Sequence, residues 1–207
     1  MADRYALVVD STNNNIKEIP AADRLVADNL LLSGTTPTLT IGDAGAEDTK
    51  IVFDGNAQDF YIGLDDSADD LVIGLGSAVG TTPAISIDEN QVVAHVAGVS
   101  EQYTAVTSSS NATTINCRLG TTFSHTLTEN TTFTFSNPAA SGNSTIFLLK
   151  LVQDSSARTV TWPNSVDWAS STAPTISTGN AAVDIFAFIT HDGGTNWYGF
   201  TAGQAMA

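Results

Sequence analysis

The sequence predicts an all-β protein. Thr, Ser, Asn, Asp and Gly fill the spaces between short runs of Ile, Val, Phe and Leu, as expected of strands joined by tight turns. With 207 residues, of which 42% are hydrophobic and 14% charged, the chain has enough length and apolar content to bury a core. Composition divides the chain into three regions, residues 1–35, 36–98 and 99–207.

Residues 1–35 are predicted to form an extended anchoring segment. A short strand candidate at residues 5–9 is followed by a turn-forming polar run at residues 10–15. Three of the seven basic residues of the chain lie in this region, which makes it the least acidic part and the favoured attachment end. The residues expected to make the attachment are Arg4, Tyr5, Leu7, Val9, Lys17 and Ile19.

Residues 36–98 contain a repeat of short strands separated by acidic or glycine-rich turns. Strand candidates recur about every 11 residues, at 39–42, 50–53, 60–63 and 71–74, and a fifth follows at 84–88. Each offers only two or three apolar side chains, so an isolated sheet has one face to bury and little to bury it against. We therefore expect this region to pack against the same region of neighbouring chains.

Residues 99–207 are predicted to fold as a compact antiparallel β-sandwich or barrel. This region has little acidic bias, is rich in Thr and Ser, and contains all three tryptophans, which supply large buried area. The predicted strands are 113–119, 122–127, 131–135, 145–152, 158–162, 183–190 and 196–201.

The charge balance excludes two classes of partner. Twenty-two acidic residues against seven basic ones give a formal charge of −15, which repels nucleic-acid phosphates and anionic membrane surfaces. We expect neither nucleic-acid binding nor membrane insertion. Cys117 is the single cysteine, so no intrachain disulfide and no cysteine-based metal cage can form.

The densest group of possible ligands is a run of carboxylates between two predicted strands. Asp65, Asp66, Asp69 and Asp70 could bind Ca²⁺, because crowded carboxylates repel one another without a cation. A solvated turn whose charges protect exposed strand edges is the alternative. The chain has no G-x-S-x-G motif and no closely spaced histidine pair, so we predict a non-enzyme with no cofactor other than this candidate ion.

Three aromatic residues of the last region are candidates for contact with a receptor. Trp168, Trp197 and Tyr198 could stack against sugar rings at an exposed surface. Because side chains alternate across a regular strand, one of Trp197 and Tyr198 must face outward while the other packs inside.

Several segments resemble known structural proteins of viruses. Residues 2–10, ADRYALVVD, and 16–20, IKEIP, resemble the start of fibre and other virion proteins of marine tailed bacteriophages, cyanophages among them. Residues 41–56 and 59–66 are similar to a repeat common in those proteins, and residues 128–133 and 192–200 resemble phage fibre C-terminal domains.

The resemblance implies a virion structural protein on the tail or capsid exterior. It favours a short homotrimeric fibre that attaches through its N-terminus to another virion protein, a tail adaptor, a nozzle or a capsid protein. The C-terminal domain would then contact the host surface, where a glycan is a possible ligand. Tail fibres are often much longer than 207 residues, so a head fibre or a capsid decoration (cement) protein is the alternative.

Overall fold

The computed structural model describes residues 7–10, 15–18 and 28–206. The chain divides into two compact units, Met1–Ala97 and Gly98–Ala207. This division lies one residue from the predicted start of the third region at 99, and it does not separate region 1–35 from region 36–98. The two units are described one at a time.

The first unit contains a hairpin and a five-stranded antiparallel meander. In the hairpin, β1 (Leu7–Asp10) pairs with β2 (Asn15–Glu18). The meander follows chain order. Its strands are β3 (Thr49–Phe53), β4 (Phe60–Asp65), β5 (Asp70–Leu75), β6 (Pro83–Ile87) and β7 (Val93–His95).

The predicted strands at 50–53, 60–63, 71–74 and 84–88 are confirmed, whereas the one at 39–42 is wrong. Residues 39–42 have no regular structure, because Gly42 adopts a φ of +96° and Ala44 a φ of +67°, which turn the chain before β3. The Asp43 carboxylate accepts a hydrogen bond from Gly45 N at 3.1 Å and supports this turn. Strand β7 was not predicted, since three exposed residues carry too short a pattern.

One face of the meander is covered by the connection between β5 and β6. Tyr61 is 0% exposed and Val72 is 2% exposed on this face. Glycines at 63 and 74 lie beside them and let the backbone of the connection approach closely. The connection is held by a hydrogen bond from Leu75 N to Thr82 O at 3.0 Å and by one from Lys50 Nζ to the carbonyl of Ser77.

The second unit consists of nine strands in two sheets. The strands are β8 (Thr104–Val106), β9 (Ala112–Asn116), β10 (Thr122–Leu127), β11 (Thr131–Ser136), β12 (Thr145–Gln153), β13 (Val160–Thr161), β14 (Val166–Trp168), β15 (Val183–Thr190) and β16 (Trp197–Met206). The larger sheet has the order β14-β16-β15-β12-β10-β8, and the smaller has the order β13-β11-β9. Among the described residues, no helix combines the length and the hydrophobicity that crossing a membrane requires.

The all-β prediction is confirmed, but the sheets of this unit are mixed and not purely antiparallel. From β8 to β13, successive strands alternate between the two sheets, so that β8, β10 and β12 are parallel neighbours, and so are β9, β11 and β13. Between two neighbouring strands of one sheet, the chain crosses to the facing sheet and back. The next strand therefore runs in the same direction as the previous strand of its sheet. Antiparallel pairing is confined to β12 with β15 and β15 with β16.

The core of the second unit lies between its two sheets and is dominated by aromatic rings. Phe147 is 1% exposed, and its ring centroid lies 5.0 Å from that of Phe188 and 5.4 Å from that of Trp197. Trp162 extends the cluster from the smaller sheet by stacking on Phe133 at 5.3 Å. Edge-to-face and offset ring pairs of this kind add to the stabilisation from burial.

We expect Gly74→Ala to destabilise the meander. A methyl group at this position would lie 2.6 Å from Thr82 O and 2.6 Å from Tyr61 Cζ, so the covering connection would have to move. The expected cost is about 1–3 kcal/mol, measured by thermal or chemical unfolding followed by circular dichroism.

Gly98→Ala is the matched control, because nothing lies within 4 Å of the added methyl group. It should change stability by less than about 0.5 kcal/mol. Equal stability of the two variants would contradict the close packing of the connection on Gly74.

Candidate assembly and contact surfaces

The four carboxylates proposed for Ca²⁺ do not form a cation site. In the described part of the chain, no group of three or more His, Cys, Asp or Glu side chains converges as metal ligands would. The Asp65 carboxylate instead accepts hydrogen bonds from Ser67 N at 3.1 Å and Ser67 Oγ at 2.7 Å, which closes the β4–β5 turn. The structure therefore does not support the predicted Ca²⁺ site at Asp65, Asp66, Asp69 and Asp70, since Asp69 is exposed, the other three are half-buried, and the four do not converge.

The three aromatic candidates lie in different environments. Trp197 is 1% exposed and belongs to the core, so its assignment as a surface contact is corrected. Tyr198 is 45% exposed, and the alternation predicted for this pair is confirmed. Trp168 is half-buried, with its ring against Gly199 and its centroid 5.6 Å from that of Phe188.

A shallow groove of about 230 Å³ adjoins the exposed Tyr198 ring. It is lined by Asp167, Trp168, Ala169, Tyr198, Gly199 and Phe200. Its volume is below the roughly 300–1,000 Å³ of typical small-molecule sites.

The described anchoring candidates lie in the N-terminal hairpin. Leu7 and Val9 are in β1 and Lys17 is in β2. Arg4, Tyr5 and Ile19 lie outside the described residues.

The second face of the meander is an extended apolar surface. The nine side chains that define this open face are each 38–56% exposed. They are Ile51, Phe53, Phe60, Ile62, Leu64, Leu71, Ile73, Leu75 and Val93.

Strand register arranges the open face in cross-strand rows. Ile51, Ile62, Ile73 and Ile85 lie opposite one another in four successive strands, and a second row joins Phe53, Phe60 and Leu75. Such rows bring branched and aromatic side chains within packing distance on one side of the sheet.

Acidic residues lie in the turns and at the ends of the strands, so the open face carries no carboxylate, and His95 lies on it opposite Ile85. The acids are Asp54 and Asp59 between β3 and β4, Asp88 and Glu89 between β6 and β7, and a group of four at the end of β4, in the following turn and at the start of β5, which are Asp65, Asp66, Asp69 and Asp70. Burying the open face against another apolar surface therefore desolvates no carboxylate on the face itself.

A cavity beside this face contains no group suited to acid–base chemistry. It measures about 610 Å³ and is lined by apolar and hydroxyl-bearing residues, which are Phe60, Ile73, Gly74, Leu75, Thr81, Thr82, Pro83, Ala84, Val96 and Ala97. Cys117 is half-buried in the other unit, and burial raises the pKa of its thiol to about 11. The thiol is therefore protonated at neutral pH and a poor nucleophile.

Sequence reasoning predicted four of the five strands of the meander and an apolar face that needs a partner, but it did not identify which residues form that face. The available signal was the alternation of residue types within the repeat. Ile62 and Ile73 occupy the same position in successive strands, and Gly63 and Gly74 occupy the position after it, which faces the other side of the sheet. Large residues on one parity and glycines on the other indicate that the two faces differ in what covers them.

The loop before β16 is fixed by a network around Asp192. The Asp192 carboxylate accepts hydrogen bonds from Asn196 N at 3.0 Å, Asn196 Nδ2 at 2.8 Å and Thr190 Oγ1 at 2.9 Å. The Asn196 donors, foremost its backbone N–H, lower the pKa of Asp192 from its usual 3.8 to about 2. The network sets the start of the strand that carries Trp197 inward and Tyr198 outward.

No protein-family model, no curated protein and no solved structure matches this chain.

Asp192 should give the protein a defined acid sensitivity. Because its folded pKa is below the unfolded value, its stabilising effect is complete above about pH 4 and is lost as pH falls from about 4 to 2. The Asp192→Asn variant should therefore melt below the unchanged protein at pH 7. The two melting temperatures should converge by about pH 2, as measured by differential scanning calorimetry across this range. A difference that stays constant from pH 7 to pH 2 would contradict the role of the charge.

Proposed function

We propose that this chain is a structural subunit of a tailed-bacteriophage virion and not an enzyme. It forms a short homotrimeric fibre, attached to another virion protein through its N-terminal region. The second unit, the β-sandwich, is displayed on the outside of the particle for contact with the host surface. The open face of the meander is the observation that carries this proposal.

The size of the open face supports self-association. A large aromatic or aliphatic side chain presents roughly 150–200 Å² when fully exposed, so nine side chains at 38–56% exposure present on the order of 700 Å². The largest apolar patch of a typical monomer is about 300–600 Å², whereas a standard interface buries about 800 Å² on each partner. The open face therefore has the size of an interface.

The chemistry of the open face fits further copies of the same sheet. Isoleucine rows can interdigitate with equivalent rows of other copies, and the strand ends keep the acids in solvent at the rim of the contact. The rim acids also disfavour anionic membranes as the covering surface. The resemblance to phage fibre proteins favours three copies around an axis.

Other features support action by assembly. The cavity beside the open face offers no acid, base or nucleophile in its lining, and the described carboxylates do not gather into a cation site. A head fibre or a capsid decoration protein would use the same face in the same way. The position of the protein on the particle distinguishes these two alternatives from a tail fibre.

We expect Ile73→Asp to abolish trimer formation. Ile73 lies in the central strand of the meander, where a carboxylate would be buried without a partner in the assembly. The unchanged protein should scatter light with three times the 21.6 kDa mass of the chain, and the variant should behave as a monomer at micromolar concentration. The association should weaken at least about 100-fold.

Val99→Asp is the matched control, because Val99 is 73% exposed and lies outside the open face. It should leave the trimer intact. A monomeric unchanged protein, or an Ile73→Asp variant that remains trimeric, would remove the proposed role of the open face.

Deletion of residues 1–35 tests the attachment. In the virus that encodes the chain, the shortened protein should still assemble through its open face but should be missing from purified particles, as measured by quantitative mass spectrometry of virions. Normal incorporation of the shortened chain would place the attachment elsewhere.

A further inference from the structure

The β-sandwich carries a second apolar surface, on the outer face of its larger sheet. Four of its side chains are 43–55% exposed, and three more are half-buried beside them. This sandwich patch consists of Ile146, Leu148, Ile185, Ala187, Ile189, Tyr198 and Phe200.

Strand pairing makes the sandwich patch continuous. Ile146 lies opposite Ile189, which lies opposite Tyr198, and the row joining Leu148, Ala187 and Phe200 runs beside it. All seven side chains therefore occupy one surface formed by β12, β15 and β16.

The smaller sheet shows that an apolar outer face is not general in this unit. Its outer positions carry threonines, and Thr114 Oγ1 and Thr134 Oγ1 lie 2.8 Å apart in a hydrogen bond on that surface. Polar residues of this kind are typical of a sheet face that contacts only water. The aliphatic and aromatic residues of the sandwich patch instead indicate a partner surface.

We infer that the sandwich patch packs against the β-sandwich of a sister copy in the same trimer, an inference that rests on the proposed function. The exposed apolar area is on the order of 400 Å², half of what one partner contributes to a standard interface. An area of this size is too small for a stable complex between independent proteins. It is sufficient for copies that another interface already holds together.

The connection between the units supplies this tether. Only residues 96–103 separate β7 from β8, so a chain of eight residues spans at most about 26 Å. Three chains joined at their meanders therefore keep their sandwiches at an effective concentration near the millimolar range. A weak apolar contact between the sandwiches forms at this effective concentration.

Charges at opposite corners make the sandwich patch complementary to itself. Lys150 is exposed at the β12 side, opposite Ile185, and Asp167 is exposed at the β14 side, opposite Tyr198. Two copies in contact can bring the ammonium group of one towards the carboxylate of the other, which fixes orientation more than it adds affinity. Tyr198 then contacts a sister copy instead of a host glycan.

Photo-crosslinking in the full-length protein tests this inference. Phe200 is replaced by p-benzoylphenylalanine, and irradiation of the trimer should link it to residues 145–153, 183–190 or 197–206 of another chain, as identified by mass spectrometry. The same group at Thr132, an exposed position on the smaller sheet, is the control and should give at least tenfold fewer links between chains. Adding Ile73→Asp should remove the links at micromolar concentration, because the tether is lost.

A charge exchange adds a second readout. Lys150→Glu should reduce the crosslinked fraction two- to threefold, and Asp167→Lys in the same chain should restore it. A trimer without links from position 200 between chains would overturn this inference and leave the proposed function standing. A protein that is monomeric by light scattering would overturn both. Links that persist in the monomeric Ile73→Asp variant would show that the sandwich patch associates without the tether, contrary to the inference.

Discussion

The two faces of the meander must both be covered, and among the described residues of its own unit only one of them is. The connection between β5 and β6 lies over Tyr61 and Val72 and closes that side, where glycines leave room for its backbone. The opposite side carries large apolar residues that remain 38–56% exposed. Because a single sheet with an apolar face is stable only when that face is packed, the open face is the feature on which the proposed assembly depends.

The β-sandwich meets the same requirement within its own chain. Its two sheets face each other, and rings from both, such as Phe133 from the smaller sheet and Phe147 from the larger, fill one core. Strands that alternate between the sheets build both layers together, so each addition to one sheet is matched by an addition to the other. The inner faces are therefore closed, and what remains for interaction is the outer surface of each sheet.

Charged residues lie at the edges of the two apolar surfaces and not within them. The chain has a formal charge of −15, yet the acids of the meander lie in its turns and at strand ends, and none lies on the open face. In the β-sandwich, the apolar outer surface is limited at two corners by Lys150 and Asp167. Separation of this kind lets apolar faces approach without burying ions, while like charges at the rims disfavour contacts in other orientations.

The sequence by itself determined the all-β class and most strand positions, because these follow from local alternation and turn residues. It also determined that one of Trp197 and Tyr198 faces inward and the other outward. It did not determine which of the two rings is buried, since both parities of β16 carry aromatic residues and only the facing sheet selects one. Parallel pairing of β8, β10 and β12 depends on strands separated along the chain by a crossing to the other sheet, which no local pattern encodes. Which residues form the open face, and whether the four neighbouring Asp side chains converge, were likewise decided by tertiary structure, because sequence spacing does not specify whether side chains converge or point into solvent.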